Sequence, residues 1–108
     1  MNVYTWDFND ALGDTIMEKY EGLYVKLMEI GKDIGGTDVI ITSNEIASMF
    51  ETATCGFYPL NVTAGKISYI GRINNRFEIH KSDLVPKDEL FAFGTKGSAL
   101  LRVVNFII

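Results

Sequence analysis

Apolar residues recur along the first third of the chain with the period of a helix. Leu12, Ile16, Tyr20, Leu23, Tyr24, Leu27 and then Ile30 or Ile34 follow one another at steps of four, four, three, one and three. That spacing lays a single apolar stripe along a helix of five or more turns, expected over residues 9–34. Asn9 or Asp10 is placed to cap its start, and Gly35-Gly36 to end it, because glycine takes the left-handed conformation that closes helices. Gly13 and Gly22 interrupt the stripe.

Val39-Ile40-Ile41-Thr42 then reads as a short strand. It is β-branched and apolar at both parities, the pattern of a strand covered on both faces. Ser43 offers a hydroxyl cap to a second helix whose apolar residues are Ile46, Met49, Phe50 and Ala53. Residues 54–65 carry Gly56, Pro59, Asn61 and Gly65 and read as a structured loop. From Lys66 onward the period falls to two. Ile67 and Tyr69 lie on one strand, and Phe77 and Ile79 on the next, with Asn74-Asn75 as the hairpin turn between them. A polar loop around Pro86 leads to a strand over 90–93, a turn at Gly94-Thr95-Lys96-Gly97, and a final strand over 99–107. The expected fold is a single α+β domain over 1–108. It has a long N-terminal amphipathic helix, a short strand and a second helix, then a β-rich half forming a small sheet packed on the helices.

Composition fits an ordinary globular domain of this length: 47% hydrophobic and 22% charged over 108 residues. No apolar run reaches the length of a membrane span. The stretch MNVYTWDFND has no basic region followed by an apolar one, and Cys55 is the single cysteine, so a reduced, intracellular site of synthesis is expected. The net charge of −4 is uneven. Residues 1–54 hold ten acids and three lysines, and residues 55–108 hold four acids and seven Lys or Arg. That split arises from an acidic helix beside a basic sheet, or serves head-to-tail contact between copies.

Candidate chemistry is sparse. His80 is the single imidazole, between Ile79 and Lys81 on a strand, and no Ser or Cys lies in a nucleophile motif. One His and one Cys do not make a metal set. The GTKGS stretch, residues 94–98, has a strand after it where a phosphate loop needs a helix, so it reads as a β-turn. The basic residues form no stripe for nucleic acid. No catalytic residue, cofactor, metal, small-molecule substrate, specific nucleic acid or membrane is expected.

Two stretches resemble the major capsid proteins of tailed bacteriophages. TDVIITSNEIASMFE, residues 37–51, is similar to the strand, Ser-led cap and short helix of that family. YIGRINNRFEIHKSDLVPKDELFAFGTKGS, residues 69–98, is similar to its strand ending in glycine, tight turn, second strand, proline-containing loop and glycine-bounded turn. Gly71, Phe77, Ile79, Pro86, Phe93, Gly94, Lys96 and Gly97 occupy the matching places. The likeness covers about residues 12–105 and implies the axial domain of a capsid subunit, a structural part of a virion. Its partners would be copies of itself or other capsid-type subunits. The expected contacts are Phe57, Tyr58 and Leu60 in the loop, and Leu101, Val103, Val104 and Phe106 on a C-terminal strand left as an uncovered edge. The alternative is a non-catalytic module that binds a peptide or protein along a sheet edge.

Overall fold

The computed structural model describes residues 1–10, 13–52, 57–73 and 77–107, the side chains of 57–61 apart. Its elements run β1 (Asn2–Asp7), a short 3-10 turn (Phe8–Asp10), α1 (Ile16–Ile34), β2 (Val39–Thr42), α2 (Asn44–Thr52), β3 (Phe57–Ala64), β4 (Ile67–Ile73), β5 (Phe77–Ser82), β6 (Glu89–Phe93) and β7 (Ser98–Val104). The α+β class, the two helices and the strand between them stand as expected. Two features differ. A strand precedes the first helix, and the sheet is large, with seven strands in the order β1-β7-β6-β2-β5-β4-β3.

Helix α1 starts later than the apolar stripe implies. Thr15 Oγ1 accepts from the Glu18 backbone N–H at 3.2 Å while the Glu18 carboxylate accepts from the Thr15 N–H at 3.4 Å. This reciprocal pair satisfies two donors that a helix start leaves free, so the helix begins there and not at Asn9 or Asp10. Leu12 lies outside the described residues. At the other end Gly35 closes the helix with φ 81°. The Ser43 hydroxyl caps α2 as expected, accepting from the Ile46 N–H at 3.1 Å and donating to the Lys87 carbonyl at 2.6 Å.

The Gly94–Gly97 turn has a structural task. The Thr95 hydroxyl donates to the Gly35 carbonyl at 2.8 Å, and the Lys96 N–H donates to the Ile34 carbonyl at 2.8 Å. The β6–β7 turn thus supplies donors to the carbonyls exposed at the end of α1.

Residues 54–65 are not a loop throughout: 57–64 form β3, paired antiparallel with β4. Asn74 and Asn75 lie outside the described residues. The largest revision concerns the C-terminus. β7 is not an edge, because β1 pairs with it in parallel from Asn2↔Ala99 to Asp7↔Val104. Asn105 then turns the chain with φ 58°, and Phe106 folds back to pack edge-on against Phe8 at 5.3 Å between ring centres. Phe106 is therefore spent inside the chain's own core, while Val104 and Ile107 stay exposed.

That core lies on one side of the sheet. Helix α1 rests against β1 and β7, α2 against β5 and β3, and the helices touch each other. Between them and the sheet, Leu23, Leu27, Ile30 and Phe50 pack with Ile40, Ile79, Leu90 and Leu101 in one buried cluster.

Candidate interaction face

Strand residues alternate between the two faces of a sheet, so every strand that sends one residue to the helices sends its neighbour the other way. On β2 the core takes Ile40, and Val39 and Ile41 face away; on β6 it takes Leu90 and Ala92, and Phe91 and Phe93 face away. Cross-strand registers align one such outward residue from each strand. Val3 of β1 pairs with Leu100 of β7, Leu100 with Phe91 of β6, and Phe91 with Ile41 of β2. Ile41 pairs with His80 of β5, His80 with Tyr69 of β4, and Tyr69 with Val62 of β3. The result is one row across all seven strands, apolar or aromatic at every position. Val39 and Phe93 extend it on one side and Ile67 on the other.

No helix covers this row among the described residues. Val3 is 58% exposed at one end and Val62 53% at the other, with the middle of the row half-buried only by its neighbours. Between them the sheet forms an open groove of about 480 Å³, whose walls include Val39, Ile41, Ile67, Tyr69 and His80. The expectation that β2 is covered on both faces therefore meets described residues that supply a cover for one.

Electrostatics leave the row itself without a formal charge other than any on His80. That imidazole stacks at a tilt on Tyr69, with ring centres 4.7 Å apart, and its Nε2 lies 3.4 Å from Glu78 Oε2. A single carboxylate beside a ring on an open sheet is a hydrogen-bonded surface pair. Among the described residues no three His, Cys, Asp or Glu side chains gather where a metal could sit. Nor is any described helix long and apolar enough to cross a membrane.

The residues expected to make contacts fall into three groups. Leu101, Val103 and Phe106 are 0%, 1% and 7% exposed and belong to the internal core. They are corrected from contact to core residues, since β1 and Phe8 close over the place where an edge was expected. Val104 is exposed, as a contact residue must be. Phe57, Tyr58 and Leu60 have their backbone on β3, with side chains outside what the structure describes. The row residues Val3, Ile41, Phe91 and Leu100 were not singled out from sequence. Their signal was present, because β2, β6 and β7 are apolar at both parities, and a strand with one wet face is not.

No family model, no curated protein and no solved structure matches this chain.

Proposed function

We propose that the chain is a non-catalytic structural domain that makes subunit contacts through its open sheet face, in the manner of the axial domain of a tailed-phage capsid subunit. The uncovered seven-strand row carries this reading. An apolar row of that length on one face is larger than scattered surface hydrophobics, and contiguous apolar surface of this kind marks a place for another protein. Shells are held by many modest contacts repeated by symmetry, so such a face needs no reaction centre beside it. The motif likeness over residues 37–51 and 69–98 supports the capsid assignment, and its partners are copies of this chain or other capsid-type subunits in a virion.

Carbene footprinting tests the reading. The chain is labelled free, and again after mixing with full-length capsid-type subunits under assembly conditions. Protection of Val3, Phe91 and Leu100 in the mixture is the expected result. Unchanged labelling of the row in assembled material overturns it.

A second reading follows from the sheet order, which leaves β1 and β3 as its two margins. The outer edge of β1 presents unpaired backbone groups to which an extended peptide can add as an eighth strand. Protection of β1 amides in hydrogen exchange, without protection of the row side chains, distinguishes this mode.

A further inference from the structure

We infer that the occupant of the open face is a second copy of this chain, packed face to face about a two-fold axis through the middle of the row. The inference rests on the reading of that face as a subunit contact and adds the partner and the symmetry.

Size comes first. Seven strands spaced about 4.8 Å apart make the row about 30 Å long, and three rows of outward residues make the face about 15–20 Å deep. Two such faces together remove on the order of 1,000 Å² from water, the lower bound for a specific interface. A sheet-on-sheet pairing of this size is weak and concentration-dependent.

Charge selects the partner. The rows beside the apolar one carry Glu78 and Arg72, in register on β5 and β4, and Glu89 and Arg102, in register on β6 and β7. Arg102 Nε lies 3.4 Å from Glu89 Oε2. These two acids and two bases cancel, although the whole chain carries −4. The excess negative charge therefore lies off this face. A strongly acidic or basic partner finds no complement here, whereas a second copy meets a neutral surface with its own neutral surface. His80 already has Glu78 as a hydrogen-bond partner, so covering it does not leave a buried imidazole alone.

Symmetry gives the position of one residue. Ile41 is the fourth of seven in the row, with three strands on either side. Any two-fold axis lying in the interface through the row's centre brings Ile41 against Ile41 of the second copy, whatever the angle between the two sheets.

The experiment is sedimentation equilibrium from micromolar to millimolar protein on the wild type, Ile41→Lys, and Val25→Lys. The last is a control at an exposed apolar site on α1. Thermal melts confirm that each variant is folded; should Ile41→Lys not fold, Val3→Lys with Val62→Lys at the exposed row ends replaces it. In parallel, Ile41→Cys with Cys55→Ser is tested for a disulfide-linked dimer under mild oxidation. A doubling of mass with concentration, retained in Val25→Lys and shifted at least tenfold upward in concentration by the row variant, is expected, as is cross-linking through position 41. A dimer insensitive to the row variant, or one that does not cross-link, overturns the arrangement. A chain that stays monomeric to millimolar concentration, but whose row is protected by capsid-type subunits, overturns self-pairing and leaves the subunit-contact reading standing. Absence of both overturns both.

Discussion

Leu90 and Phe91 are consecutive on β6 and serve opposite sides of the sheet. Leu90 is fully buried beneath the helices, and Phe91 is half-buried in the open row between Ile41 and Leu100. Truncating Leu90 to Ala leaves a cavity in the core and is expected to cost about 2–5 kcal/mol. Truncating the larger Phe91 to Ala removes a side chain with one wet face and is expected to cost the free monomer about 1 kcal/mol or less. Urea melts at low protein concentration, where self-pairing does not contribute, check the order. If Phe91→Ala is the more destabilising of the two, the face is covered within the chain and is not an open surface.

Lys19 ties the N-terminal strand to the first helix. Its Nζ donates to the Phe8 carbonyl at 2.7 Å and lies 4.4 Å from the centre of the Phe8 ring, with Asp14 Oδ1 at 4.0 Å. The long stem is buried along the way, and the ammonium meets a carbonyl and an aromatic face together. Lys19→Met keeps the stem and removes the donor. The loss is expected to be about 1–3 kcal/mol, because the Phe8 carbonyl is left without its charged partner. Hydrogen exchange localises the effect: amides of β1 exchange faster in the variant, and those of β4 and β5 do not. Uniform acceleration across the sheet would mean that Lys19 supports the whole core and not the strand.

Local periodicity made the helices legible, and chemistry that closes over distance did not. The stripe through Tyr20, Leu23 and Leu27 and the cap at Ser43 read directly from neighbouring residues. The Thr15-to-Glu18 capping pair is also written in the sequence, but Leu12 extends the apolar stripe past it and points to an earlier start. β1 was missed because Asn2–Asp7 is a strand only by virtue of β7, nearly a hundred residues away, and parallel pairing leaves no turn between its partners. Misplacing β1 turned β7 into an edge and assigned Leu101, Val103 and Phe106 to an interface. The open row was missed for the opposite reason. Ile41 reads as part of a strand covered on both faces and Phe91 only as part of a strand, and only the register shows that they share a face on which no described helix lies.

Gly94 is required by close packing and not by backbone freedom. A Cβ there would overlap the carbonyl oxygens of Gly36 and Ile34 and stand 2.9 Å from Ile34 Cγ1. The Ile34 carbonyl is not free to move, since its oxygen accepts from the Lys96 N–H. Gly94→Ala is therefore expected to push the β6–β7 turn off the end of α1, at about 3 kcal/mol. Gly36 is the counterpart, with φ 90° and nothing within 4 Å of a Cβ. Gly36→Ala is expected to cost only the left-handed strain of about 1–2 kcal/mol. Chemical denaturation of the two variants ranks them; a larger loss at Gly36 would show that the turn yields easily and is not held against the helix.

Stability at the two ends of the pH range depends on β1. Asp7 accepts from the Asn9 N–H at 2.9 Å and from the Asn105 side-chain amide at 3.1 Å, and these bonds hold its carboxyl below the usual aspartate range. A lowered folded value means that the unfolded chain takes up the proton first. The contribution of Asp7 is therefore present above the ordinary aspartate pKa and is lost as pH falls through the folded value. Tyr4 behaves in the opposite sense. Its hydroxyl donates to Asp33 Oδ2 at 2.5 Å, which holds the phenol protonated and raises its pKa above the ordinary tyrosine value. That contribution is complete below the ordinary value and is lost as pH rises through the folded one. Asp7→Asn is expected to flatten the acid limb of a melting temperature–pH curve, and Tyr4→Phe the alkaline limb, each leaving the other limb unchanged. Both residues are half-buried but make these hydrogen bonds at the surface, so the contributions should shrink in added salt. An acid limb that is equally steep in Asp7→Asn would assign acid sensitivity to carboxylates elsewhere in the chain.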